Sequence, residues 1–154
     1  MAHALNLTMK IRQDRETQAR LAQITAVFPS QIQPKIDKAL RDSQIVHFAR
    51  VLVIDNLYLQ VITEYDGPHH AYTDFFLTAL PDVFGTLFSL ADPPPPASAI
   101  EDPEEFWKFS KGLQIPSLGI SLDDDTDGEG RVAGYLFSAY GTREVKDILP
   151  LLTG

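Results

Sequence analysis

The sequence predicts an α+β domain organised on an antiparallel sheet, and three observations carry that expectation. Two runs rich in β-branched and aromatic residues, His47–Asp55 and Tyr58–Asp66, flank a polar break at Asn56 and read as a hairpin of long strands. Near the start, Leu5, Leu7, Met9 and Ile11 alternate with Asn6, Thr8 and Lys10, the period of a strand with one apolar face. Helical periodicity then separates these strands from one another and from the C-terminal third.

Taken in order, the first strand gives way to a helix over Gln13–Phe28, where Leu21, Ile24, Thr25 and Phe28 form one stripe and Pro29 is the expected stop. A shorter helix follows with Ile32, Ile36 and Leu40 on one side; Pro34 suits its first turn. After the hairpin, Asp66-Gly67-Pro68 turns the chain into a helical region, His70–Ala91, that Pro81 splits or kinks. Its inner stripe is Tyr72, Phe76, Ala79, Val83 and Leu87. Asp92–Ile100, with four consecutive prolines, reads as a stiff surface connector. Asp102-Pro103-Glu104-Glu105 joins an N-cap, a first-turn proline and a capping acid, and opens a short helix that ends near Gly112. Leu118–Leu122 and Arg131–Tyr140 are expected strands, and Thr142 is the expected cap of a last amphipathic helix.

At 154 residues, 44% of them apolar, the chain is long enough for one core and short for two domains. It has no cysteine, which excludes disulfides, thiol nucleophiles and Cys-ligated metals. The first twenty residues lack the apolar core of a leader, and no apolar run approaches a membrane span, so the expectation is a cytoplasmic protein without membrane contact. The net charge of −8 divides into +4 over residues 1–50 and −12 over residues 51–154. An acidic surface disfavours nucleic acid, whose binding rests on neutralising phosphates.

The order strand, helices, hairpin, helix, strand is the ferredoxin-like α+β pattern, with helices on one face of the sheet. Both faces of the hairpin are apolar, so a partner subunit is the expected cover for the second face. In His47-Phe48-Ala49-Arg50 running into Val51–Asp55, in Thr63-Glu64-Tyr65-Asp66-Gly67 and in Phe137-Ser138-Ala139-Tyr140, the chain resembles the dimeric α+β barrel superfamily and its small uncharacterised bacterial members. The resemblance implies a homodimer and a cavity between sheet and helices. Members include cofactor-free monooxygenases, haem degraders, haem peroxidases and small isomerases, so it implies no single reaction.

Candidate chemistry centres on the hairpin. With Asp55 opposite Tyr58, His47 faces Asp66, Ala49 faces Glu64, Val51 faces Ile62 and Val53 faces Gln60. A histidine beside a carboxylate is the arrangement of an oriented general base; a polar pair at a strand end is the commoner meaning of the same residues, and the favoured one. Arg50, mid-strand between Phe48 and Leu52, either anchors an anionic ligand, or lays its stem on the sheet and pairs its head with an acid such as Glu64 or reaches a surface. His47, Arg50, Glu64 and Asp66 are therefore the catalytic candidates. Tyr65, Tyr72, Phe76 and Tyr135 are the candidates for contact with a hydrophobic or aromatic substrate.

Other motifs are weaker. His69 and His70 stand side by side on a helix and cannot chelate one metal together; one of them as a haem ligand is the only support, with His47, for a haem cofactor. Asp123, Asp125, Asp127 and Gly128 open like a calcium loop, but Gly134 stands where the closing glutamate is needed, so no metal site is assigned. Phosphate-binding, serine-hydrolase and zinc-helix motifs are absent. Two classes remain open: a small-molecule enzyme or binding protein, and a non-catalytic homodimeric assembly protein whose apolar sheet face is only an interface.

Overall fold

The computed structural model describes residues 2–120 and 134–152, apart from the side chain of His69. Strand β1 (Ala2–Lys10) leads to α1 (Arg15–Val27), a π-helical turn (Phe28–Ile32) and α2 (Gln33–Ser43). Strands β2 (Val46–Ile54) and β3 (Tyr58–Asp66) form the hairpin, and α3 (His69–Ala79), α4 (Pro81–Phe88), α5 (Pro103–Gly112) and α6 (Val145–Leu152) complete the elements.

Local chemistry explains the helix boundaries. The Asp14 side chain accepts from the Thr17 backbone N–H at 3.0 Å and caps α1. Pro29 does not end the helical path as expected. The chain widens into a π turn there, which accommodates a residue lacking an N–H, and continues into α2. Pro81 does split the next region, with Leu80 in a non-helical conformation between α3 and α4. Asp102 caps α5 through the N–H groups of Glu104 and Glu105, as its spacing requires. The cap of α6 lies later than Thr142: Asp147 accepts from the Glu144 N–H at 3.1 Å, the third-position half of a capping box.

The sheet is three-stranded and antiparallel in the order β1-β3-β2. Because β3 runs against both neighbours, β1 and β2 are parallel, and α1 with α2 forms the crossover between them. The free edge of β1 is sealed by residues 113–115: the Thr8 N–H donates to the Leu113 carbonyl, and the Ile115 N–H donates to the Asn6 carbonyl, each at 2.9 Å. Among the described residues no strand pairs with the outer edge of β2.

The expected late strands are not formed by residues 118–120 or 134–140, and the remainder of both lies outside the described residues. Gly134 explains part of this correction. Its φ is +85°, and a Cβ there would collide with the Ser117 backbone, so the position serves close chain packing rather than a ladder. Among the described residues the architecture is therefore three antiparallel strands with helices, an α+β fold.

One sheet face carries the core. Leu5, Leu7 and Met9 of β1 and Leu59, Val61 and Tyr65 of β3 are buried beneath the helices. Above them runs an aromatic layer: Tyr65 stacks on Tyr72 with centroids 3.9 Å apart, Phe76 meets Phe84 at 4.7 Å, and Phe84 meets Phe106 edge-on at 5.5 Å. The opposite face is not covered throughout. Phe48 is 71% exposed and Ile54 39%, on the face for which a partner subunit is the expected cover. No helix among the described residues is long and apolar enough to cross a membrane.

Candidate functional site

The hairpin register differs from the expected one by a single residue. Val51 pairs with Val61, Ala49 with Thr63, Arg50 with Ile62 and Phe48 with Glu64. The turn accounts for the shift. Asp55 and Asn56 both take left-handed conformations, φ 53° and 56°, which these residue types tolerate, and the Leu57 N–H closes back on the Ile54 carbonyl at 2.9 Å. That three-residue loop puts Ile54 opposite Tyr58. Since strand side chains alternate, the slip exchanges the faces of β2 relative to β3. Ala49, Val51 and Val53 join Thr63 and Val61 on the helix side, while Phe48, Arg50 and Leu52 join Glu64 and Ile62 on the other.

A bulge at His47 rescues the one contact that matters most. The register jumps between Val46 and Phe48, leaving His47 as the extra residue. Its Nε2 reaches Asp66 Oδ1 at 2.8 Å, and its Nδ1 reaches the Tyr140 hydroxyl at 2.7 Å with the rings stacked. Both the imidazole and the carboxylate side chains are nearly fully buried. The second Asp66 oxygen accepts the Val145 N–H at 2.8 Å, the first turn of α6. A carboxylate at that position satisfies one orphan helix donor and sits at the positive end of the helix dipole.

The chain Tyr140–His47–Asp66–Val145 can hold a proton in two arrangements. In neutral His47, Nε2 donates to Asp66 and Nδ1 accepts from Tyr140; in the imidazolium both nitrogens donate. Partial burial, together with the charges of Asp66 and Glu64, raises the Tyr140 phenol above its ordinary range, so at neutral pH it keeps its proton. Glu64, on the opposite sheet face, is also raised: partial burial outweighs the opposing pull of Arg50 and His47.

His47 stands in the wall of a cavity of about 730 Å³. Its floor is built from buried side chains of β3 and α4, chiefly Val61, Thr63, Val83, Phe84 and Leu87. Strand β2 and the first residues of α6 form two sides. The remaining side is α2, none of whose residues is fully buried; its apolar Ile36 and Leu40 are half-buried against the edge of the core and line the cavity. At the mouth Arg41 pairs with Asp37 at 3.0 Å.

The expected site residues are thus only partly brought together. His47, Arg50 and Phe76 line the cavity. Asp66 holds His47 without lining it, and Glu64 lies on the other sheet face. Arg50 is exposed and makes no ion pair among the described residues, so the internal pairing with Glu64 weighed for it is not formed. Tyr65 and Tyr72 are stacked core residues, and Tyr135 packs on Phe137 at 4.8 Å. His70 bonds with Asp74 at 3.3 Å and lies 3.5 Å from Glu104, so two carboxylates already engage the imidazole weighed as a haem ligand. The side chain of His69 and the acidic loop 123–130 lie outside the described residues. No group of three metal-binding side chains occurs among those described.

Thr63, Tyr140 and Val145 are site residues that sequence reasoning passed over. Thr63 reads as an ordinary β-branched strand residue. Tyr140 and Val145 reach the hairpin through tertiary contacts across about eighty residues or more, for which periodicity holds no signal. Compared with known proteins, the chain matches no family model, no curated protein and no solved structure.

Proposed function

We propose that the chain is a small-molecule enzyme or binding protein that takes a hydrophobic or aromatic compound between the sheet and the helices, with His47, oriented by Asp66, available for proton transfer. The observation that carries this reading is the cavity itself: about 730 Å³, walled mainly by apolar side chains, with one buried histidine in its wall. Size and lining of that kind suit a drug-sized apolar ligand fixed by a few polar groups. Tyr140, bonded to His47 and partly exposed, is the outer member of the proton path. The test is a thermal-shift screen of hydrophobic compounds against the wild type and Ala49→Trp, whose indole would fill the cavity from β2. Saturable stabilisation by some compounds, absent in Ala49→Trp, supports the reading; equal shifts in both proteins would remove it.

A second reading rests on the other sheet face. Phe48, Ile54 and the edge of β2, which pairs with no strand among the described residues, offer an apolar surface for a second copy, in a homodimer of the kind the dimeric α+β barrel forms. Sedimentation of Phe48→Glu separates the possibilities: a wild-type dimer that the charge dissociates supports the interface, and a monomer at every concentration rejects it.

A further inference from the structure

The cavity floor contains a polar feature that its apolar walls do not explain. Thr63 is 1% exposed, yet its hydroxyl makes no hydrogen bond of good geometry. On β3 it points to the helix side, between Val61 and Tyr65, and it lines the cavity. The hydroxyl of Tyr72, equally buried, is close enough for Thr63 to pull its phenol down against the burial that raises it, but the two meet without good hydrogen-bond geometry and neither has another partner. A buried hydroxyl without a partner is costly, and a valine would fill the same space without that cost. Sheet structure does not demand a threonine here, because Val61 and Leu59 occupy the equivalent positions along the strand.

We infer that the ligand carries a neutral hydrogen-bonding oxygen, a hydroxyl or carbonyl, which seats on the Thr63 hydroxyl while its apolar body fills the cavity. This rests on the cavity reading above and names the chemical class of its occupant. A hydroxyl suits both kinds of oxygen, since it can donate to a carbonyl or accept from an alcohol or phenol. A carboxylate is disfavoured at the same place. The burial that raises the neighbouring Tyr72 phenol, reinforced by the Glu64 charge, would penalise any anion on the floor. The charged side chains of the lining from α2, Asp37 and Arg41, are exposed and belong to the mouth, and Arg50 borders the cavity from the edge strand with its side chain on the other sheet face. The ligand therefore enters with its neutral oxygen foremost and its remaining groups toward His47 and the opening.

The experiment uses two probes of nearly the same shape, 2-naphthol and naphthalene, titrated by calorimetry into the wild type, Thr63→Val and Thr63→Ser. Thr63→Val is expected to weaken 2-naphthol about five- to tenfold, the worth of one net hydrogen bond or somewhat more, and to change naphthalene less than twofold. Thr63→Ser keeps a hydroxyl and should restore most of the preference. Equal changes for both probes, or none for either, would overturn the assignment of Thr63 while leaving the cavity as a binding site. Failure of both probes to bind the wild type would overturn the cavity reading and this inference with it.

Discussion

Strands β1 and β2 are each nine residues long, each pair with β3, and run parallel to one another, yet they behave as opposites. The inward residues of β1, Leu5, Leu7 and Met9, are almost completely buried, and its outer edge is bonded to residues 113–115. On β2 the equivalent positions are Ala49, Val51 and Val53, of which only Val51 is even half-buried. Nothing in the two ladders accounts for this. The difference lies above the sheet, where an aromatic layer presses on β1 and β3 while β2 is a wall of the cavity that α2 closes on its far side. One half of the sheet is a core, and the other is the wall of a site.

The largest consequence is in stability. Leu7→Ala should cost about 2–5 kcal/mol, the usual toll of a buried leucine whose surroundings cannot collapse. Val53→Ala, in the same pleat position on β2, should cost under about 1 kcal/mol because solvent already reaches it. Urea unfolding of the two variants measures both, and equal losses would mean that the two strands are packed alike.

Next in size is the buried cluster that ties α6 to the hairpin. Asp66→Ala removes the acceptor of both the His47 Nε2–H and the Val145 N–H, and should cost roughly 3 kcal/mol through stranded buried donors. Hydrogen exchange at the Val145 amide should accelerate with it. Arg50→Met, on the exposed side of the same hairpin, should stay within about 0.5 kcal/mol of wild type. A loss from Arg50→Met as large as that from Asp66→Ala would show an ion pair that the exposed position of Arg50 does not suggest.

The smallest expected effect is a pH dependence. Burial raises the Glu64 carboxyl, so the folded state holds that proton more firmly than the unfolded chain does. Stability from this group is complete in acid, below the ordinary carboxyl range, and declines as pH rises through the raised value. Glu64→Gln should therefore match wild type in acid and exceed it toward neutral pH. A variant less stable than wild type at neutral pH would mean that Arg50 and His47 outweigh the burial.

The same contrast decides what could be read from the residues alone. The alternation of Leu5, Leu7, Met9 and Ile11 is visible because one face of β1 is wholly inside and the other is not. Asp102 and Pro81 were legible for local reasons: a cap and a missing N–H act within a few residues. Strand β2, Val-His-Phe-Ala-Arg-Val-Leu-Val-Ile, is apolar on both faces, and its residues alone do not tell a face covered by the chain's own helices from one left exposed at Phe48. The register failed by one residue because the loop depends on the left-handed backbone of Asp55 and Asn56, and His47 met Asp66 only through a bulge that no residue announces. Tyr65 and Tyr72 enter the candidate site on aromatic character alone, and the sequence does not show that they stack on one another in the buried layer. Thr63, the polar group of the floor, is distinguished only by the well-formed hydrogen bond it lacks, which a sequence cannot show.

The most direct measurement of the contrast is to add volume to both halves of the sheet. Val51→Phe extends a side chain from β2 into the cavity, and Leu7→Phe forces the same ring into the packed layer over β1. Equilibrium unfolding should show Val51→Phe at or above wild-type stability, since the ring buries apolar surface in open space. Leu7→Phe should lose about 1–3 kcal/mol to overpacking. A comparable loss for Val51→Phe would contradict the account, because it would mean that the space beside β2 is filled and that no site lies there.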